Sequence, residues 1–198
     1  MIIAIHNTKG GVGSTTIAAH LCALIAEGDA RVDGMSVDDN NELRRWLDPL
    51  GIRCLDPEVD LGHARSDHLV LDVQSTHRPP VAPDVWVIPC SNRLAVEHGE
   101  ALADTLPGVV LLLPTMGRRI DPAVVPEHAR GDVEVSAAIP YSRAVAEACD
   151  TRTIAWRHPE LAGAYGVRQL RSALESLLAL AQRVLEAADE AAPRPVAV

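Results

Sequence analysis

The stretch KGGVGSTT at residues 9–16 has the composition of a phosphate-binding loop with one substitution at its centre. The common pattern is G-x-x-x-x-G-K-[ST]: backbone N–H groups surround the phosphates, the lysine reaches the β- and γ-phosphates, and the hydroxyl meets Mg²⁺. Here Gly13 is followed by Ser14, not lysine. A lysine stands at the other end of the stretch, Lys9, and it is the only lysine in the chain; every other Lys/Arg position is Arg. The backbone from Gly10 through Gly11, Val12, Gly13 and Ser14 to Thr15, opening a helix, still forms an anion nest. Thr15 and Thr16 supply hydroxyls. In a partly buried site, losing one charge-assisted phosphate contact costs a few kcal/mol, on the order of a hundredfold in affinity. Two readings stay open. A lysine arrives from a different direction, or Ser14 is an ordinary helix-start residue in an idle loop.

The elements that must hold this loop follow from periodicity. IIAI (2–5) is a short apolar strand feeding the glycine turn, and TTIAAHLCALIAE (15–27) has helical spacing closed by Gly28. RVDGMSV (31–37) is a poor strand, interrupted by Asp33 and Gly34, and NELRRWLDPL (41–50) is a short helix stopped at Pro49. HLVLDV (68–73), VWVIP (85–89) and VVLLLP (109–114) are buried strands, the last two ended by proline. LAVEHGEALADTL (94–106) is a helix between them, and PAVVPEHAR (122–130) is helical in part. VEVSAAIP (133–140) reads as a strand, and SRAVAEAC (142–149) as a helix. A long helix runs over about 160–190, its apolar face made by Val167, Leu170, Leu174, Leu177, Leu178, Ala181, Val184 and Leu185. Strands alternating with helices imply an α/β fold: three layers, a mostly parallel twisted sheet with helices on both faces. Residues 1–190 form a single domain and 191–198 a flexible tail.

Composition sets limits. Of 198 residues, 47% are hydrophobic but Phe is absent, so the core is aliphatic. The net charge of −9 argues against a strongly basic nucleic-acid binder, leaving room only for a local patch. Cys22, Cys54, Cys90 and Cys149 form no C-x-x-C and are expected to be reduced, mostly buried thiols in a cytoplasmic protein. No N-terminal leader pattern and no membrane-length apolar run stand out. The eight histidines show no zinc-type spacing, and no Ser-His-Asp order rises above chance.

IIAIHNTKGGVGSTTIAAHLCALIAEG resembles the deviant Walker A region of the ParA/MinD family, whose loop reads K-G-G-x-G-K-[ST]. SVDDN (36–40) falls where that family carries D-x-D-P-Q, VLDV matches its switch II aspartate with Asp72, and AAIPYSRAVAEACDTRTIAWRHPELAGAY (137–165) is similar to I-P-x-S-x-x-x-x-E-A followed by G-A-x-Y. The departures are Ser14 for the loop lysine, Ser36 for the first switch aspartate, and Asp39-Asn40 for Pro-Gln.

The resemblance implies a P-loop NTPase-like fold, ATP or ADP with Mg²⁺ as ligand, and a nucleotide-sandwich homodimer. In it Lys9 would cross to the partner's nucleotide. Thr15 would meet Mg²⁺ and Thr16 the α-phosphate, Asp38 would orient the attacking water and join the metal shell, and Asp72 would be the further metal carboxylate. Pro140 would lie at the nucleotide. Arg143, Arg152, Arg157, Arg168 and Arg171 are the candidates for non-specific DNA contact, with Arg143, Arg168 and Arg171 foremost. A ParB-type adaptor and nucleoid association follow from the same resemblance. The acidic, Pro-containing tail argues against a membrane-targeting helix. Plainer readings remain: Asp38 and Asp39 as solvated loop acids, Asp72 as a strand-end cap, Thr15 as a helix cap, the arginines as a solvated face. At the level of function the alternatives are a pseudo-NTPase interaction scaffold and, more remotely, a metabolic enzyme of the wider superfamily.

Overall fold

A computed structural model describes residues 1–7, 11–38, 40–58, 66–74, 76–91, 93–117, 133–135 and 138–191. Lys9, Gly10 and Asp39 therefore lie outside the described residues, as do the expected helix at 122–130 and residues 192–198. The strands are β1 (Ile2–His6), β2 (Val32–Val37), β3 (Cys54–Leu55), β4 (His68–Val73), β5 (Val85–Cys90), β6 (Val109–Gly117), β7 (Val133–Val135) and β8 (Ile139–Pro140). The helices are α1 (Ser14–Glu27), α2 (Glu42–Leu47), α3 (Arg93–Ala103), α4 (Arg143–Asp150) and α5 (Tyr165–Ala191). The sheet runs β3-β2-β4-β1-β5-β6-β7, with β8 also on β6. Every described ladder is parallel.

The alternation of side chains along β1 sorts the core into two halves. Ile3 and Ile5 meet Ile17 and Leu21 of α1, Leu43 and Leu47 of α2, and Leu170, Leu174 and Leu177 of α5. Ala4 faces the other way, with Met35, Leu71, Trp86 and Ile88 against Ala95 and Ala103 of α3. Among the described residues α3 is the only helix contributing to that second half. Of the expected stripe of α5, Val167, Leu170, Leu174, Leu177 and Ala181 are buried, with Ala173 and Leu180 beside them, while Leu178, Val184 and Leu185 are half-buried at its margin.

Two expectations change. Residues 31–37 are no weak strand: β2 is six residues long and buried throughout. Asp33 is tolerated there because Arg53 grips it with two bonds of 3.1 and 2.7 Å. Gly34 makes room for the helix packed on it. A Cβ on it would lie 2.3 Å from Leu47 Cδ1 and 3.3 Å from Leu43 Cδ2, so α2 sits directly on the strand. The prolines do not end their strands either. β5 continues through Pro89 to Cys90, and β6 through Pro114 to Gly117. The β1–β5 ladder stops at Val87, so Pro89 has lost its neighbour on that side. Pro114 likewise falls between the stretches of β6 that pair with β7 and β8. Each proline is locally an edge residue, where a missing N–H costs little.

The segment 133–140 contains two short strands, both on β6 at different heights. All four cysteines are free, and Cys22, Cys54 and Cys90 are buried. Among the described residues no helix is long and apolar enough to cross a membrane.

Candidate functional site

β1 ends at His6 and Asn7, and α1 begins at Ser14, so the glycine loop crosses the carboxyl edge of the sheet. That edge, at the point where β1 has β4 on one side and β5 on the other, is where open parallel sheets hold ligands. Gly11 and Gly13 have φ of +82° and +87°, a left-handed geometry that turns successive N–H groups toward one concavity. α1 has neither a side-chain cap nor an acidic residue in its first turn. Its positive end is thus left for an anion.

Ser14 offers no positive charge to a phosphate. It is buried, and its Oγ accepts a 3.1 Å bond from Asn7 Nδ2. Thr15 Oγ1 donates to Asp72 Oδ2 at 2.6 Å. Strand register brings Asp72 beside Ile5 on β1 and Ser36 on β2. Asp72 is only 3% exposed, and burial is the main reason its carboxyl is pushed up to about 6. The Thr15 bond opposes that shift, the nearby Asp38 charge adds to it, and Ser14 lowers it slightly.

Asp38 follows β2 directly. Its Oδ1 accepts from Ser36 Oγ at 3.2 Å and from the backbone N–H groups of Asn40 and Asn41 at 3.0 and 2.6 Å. This is a local turn bond leading into α2. Ser36, which stands where the family pattern has its first switch aspartate, therefore serves as a donor to Asp38. The donor set is hard oxygen: a threonine hydroxyl and two carboxylates. No group of three or more metal-ligating His, Cys, Asp or Glu side chains occurs among the described residues. That set fits Mg²⁺ delivered with phosphate oxygens, the usual way in which Mg²⁺ is held with only one or two carboxylates.

Beyond the loop lies a small apolar cleft of about 90 Å³, with Val12, Ile17, Ile139, Tyr141, Val145 and Leu170 among its walls. Thr16 Oγ1 sits 3.4 Å from Cys149 Sγ on one side of it. Thr115, 2% exposed and also in the lining, has a hydroxyl with no hydrogen-bond partner among the described residues. Pro140 pairs with Gly117 across β8 and β6. Ser142 caps α4 through a 3.4 Å bond from Val145 N.

Residues 3–153 match the CobQ/CobB/MinD/ParA nucleotide binding domain. The chain belongs to this family. No curated protein matches it in sequence. Solved structures agree with the family in fold. A putative plasmid partition protein from Borrelia burgdorferi B31, bound to AMPPNP, superposes with a TM-score of 0.64 at 15% identity, covering 90% of this chain and 98% of that one. The cell division ATPase MinD of Pyrococcus furiosus gives 0.63 at 16% identity over 90% and 98%. MinD of Pyrococcus horikoshii complexed with Mg-ADP gives 0.58 at 18% identity over 91% and 98%.

The fold of this CobQ/CobB/MinD/ParA member brings Gly11, Val12, Gly13, Ser14, Thr15, Thr16, Asp38 and Asp72 to one edge. Three of the candidate arginines are engaged in ion pairs, whereas Arg143 directly follows Tyr141 and Ser142 of the cleft lining. Arg171 bonds Glu175 and pairs with Glu27 at 3.2 Å, with its guanidinium 5.4 Å from the Trp156 ring centre. Arg157 also holds Glu27, and Arg152 holds Glu42 at 2.6 Å. Glu27 ends α1, about 18 Å along the helix from Thr15. Arg143 and Arg168 are exposed and make no ion pair among the described residues; Arg168 donates to Gly163 O at 2.5 Å.

Sequence reasoning missed Asn7 and His20. The signal for Asn7 was its place between β1 and the loop. His20 carried none. Its Nδ1 lies 2.7 Å from Thr16 O, which can only accept, so the proton is on Nδ1, and Nε2 accepts from Ala155 N–H at 3.0 Å. Trp46 and Trp156 flank the ring at 5.6 and 5.2 Å. His20 thus ties the first turn of α1 to the segment ahead of α5.

Proposed function

We propose that this chain is a ParA/MinD-type nucleotide switch, of the partition or positioning kind, whose site binds Mg-nucleotide weakly as a monomer and strongly as a dimer. The observation that carries this reading is the 2.6 Å pair of Thr15 and Asp72 beneath a left-handed glycine loop and an uncapped helix start. A bound magnesium nucleotide supplies the positive charge that two neighbouring carboxylates lack. Thr15 and Asp72 would hold the ion, with Asp38 beside them. Relatives of the same fold bound to AMPPNP and complexed with Mg-ADP support the ligand class.

With Ser14 turned inward, the missing phosphate cation has to come from elsewhere. Lys9 of a second subunit is the candidate that the family resemblance supplies. Nucleotide affinity and dimerisation would then be coupled by the same factor in both directions. Hydrolysis is slow or absent: Ser36 adds no carboxylate, and Asp38 Oδ1 already accepts three bonds. Non-specific DNA contact in the dimer rests on Arg143 and Arg168, since Arg171 is committed to Glu27 and Glu175. A ParB-type adaptor is the corresponding protein partner.

A second reading, a scaffold that no longer uses nucleotide, draws on the Asn7–Ser14 bond, which fills the lysine position with a neutral, buried contact. Sedimentation of wild type and Lys9→Ala, each with and without Mg-ATP, separates the two. The switch requires ATP-dependent dimerisation of wild type that Lys9→Ala loses. A wild type that stays monomeric at saturating Mg-ATP and gives no binding heat selects the scaffold.

A further inference from the structure

The second face of the sheet carries a cavity whose lining shares no residue with the cleft beside the glycine loop. β4 and β5 run parallel with β1 between them. Such a crossover ordinarily lays a helix over the strand it skips. Here residues 76–84 contain neither helix nor strand. Beneath them lies a cavity of about 660 Å³, bounded by the loop, by the end of α3, and by His6 and Trp86 of the sheet. That is the size of a small-molecule site.

Its chemistry is specific. Trp86 is 4% exposed and its indole N–H is held by Pro107 O at 2.9 Å, so the ring is fixed. His6 is 7% exposed, with its ring centre 5.7 Å from that of Trp86. His6 Nδ1 lies 3.0 Å from Asn7 O. A carbonyl can only accept, so the proton sits on Nδ1 and Nε2 keeps its lone pair, with no bond to any described residue. Burial holds His6 below the usual imidazole range, outweighing the Asn7 bond, so it is a neutral acceptor. Positive charge comes from Arg78, exposed at the cavity and without an ion pair among the described residues. Val81, Leu102 and Leu106 make much of the remaining wall apolar.

We propose that this cavity binds a planar aromatic acid: its ring packs on Trp86, an N–H or O–H donates to His6 Nε2, and its acidic group pairs with Arg78. The apolar wall and fixed indole suit a ring, the unbonded lone pair of His6 Nε2 suits a donor, and the arginine suits an anion. A purely aliphatic ligand would leave both His6 Nε2 and Arg78 unused.

Anilinonaphthalene sulfonate is a suitable probe, since it joins aromatic rings, an N–H and a sulfonate. Titrated into the folded full chain by calorimetry and fluorescence, it is expected to bind at one site, with a Kd on the order of tens of micromolar. Arg78→Ala, an exposed change that leaves the core intact, should weaken binding about tenfold. His6→Phe keeps a ring and removes the acceptor, and should weaken it several-fold. Val145→Trp, which obstructs the separate cleft beside the glycine loop, should leave it unchanged. No saturable binding overturns the proposal, and so does Arg78→Ala binding as tightly as wild type. Loss of the probe in Val145→Trp alone would place it in the nucleotide cleft and equally reject the second site.

Discussion

Asp72→Asn is expected to stabilise the ligand-free protein while destroying its affinity for Mg-nucleotide. Asp72 is almost wholly buried, and burial, with Asp38 adding to it, moves its carboxyl from 3.8 to about 6 despite the bond from Thr15. The folded state then binds more protons than the unfolded state between those two values. Stability is therefore lost as pH rises from 3.8 through about 6, and the loss is complete above that. At neutral pH the ionised form costs about 3 kcal/mol. Asparagine keeps the shape and an oxygen for Thr15 but carries no charge. For a chain of this size the gain corresponds to a rise in Tm of roughly 6–12 °C. Thermal unfolding by circular dichroism at pH 4 to 8, without nucleotide, measures it. The variant's advantage should be full at pH 7.5 and close to nil at pH 4. With Mg-ATP in large excess, wild type should gain Tm and the variant should not. A variant less stable than wild type at pH 7.5, or an advantage that does not shrink on acidification, would refute the reasoning.

His20 acts with the opposite sign. Burial drives it down to about 4, outweighing its bond to Thr16 O, so the stability it confers is present above 6.5 and lost as pH falls toward 4. In Asp72→Asn this acid loss is no longer offset, and its stability should fall visibly from pH 6.5 to 4 in the same melts. Gly34→Ala should destabilise by about 1–3 kcal/mol, because the new methyl group overlaps Leu47 Cδ1 and the buried leucine must repack; chemical denaturation reads this directly. Ser14→Lys should tighten nucleotide binding about tenfold or more by returning a charged phosphate contact, as measured by calorimetry. An unchanged Kd there would mean that Asn7, not the missing charge, sets the affinity.

Much of the site was legible because it is local. The glycine loop, Thr15 and the start of α1 are contiguous in sequence, and Asp72 is the last but one residue of a strand whose apolar run announces it. Strands β1, β4, β5 and β6 and helices α1 and α5 could be read because period 2, period 3.6 and apolar runs are properties of the chain itself. β2 could not. Asp33 and Gly34 contradict local strand propensity, and what overcomes that propensity lies elsewhere in the chain: Arg53 neutralises the acid, and Leu47 occupies the volume that a Cβ would need. The prolines misled for the same reason, since whether a missing N–H matters depends on which neighbour has already ended.

The sequence by itself determined the fold class, the family and the place of the glycine loop, all carried by residues close together in the chain. Only the tertiary structure decided how Ser14 is used. Its hydroxyl is drawn inward to Asn7, from the end of another element, so the lysine position is filled by a neutral contact. It likewise decided that Asp72 titrates near 6, that Arg171 is occupied by Glu27 from the far end of α1, and that a loop in place of a crossover helix leaves a cavity over His6 and Trp86. Burial, charge proximity and empty volume arise only when distant segments are packed together, and no window of residues contains them.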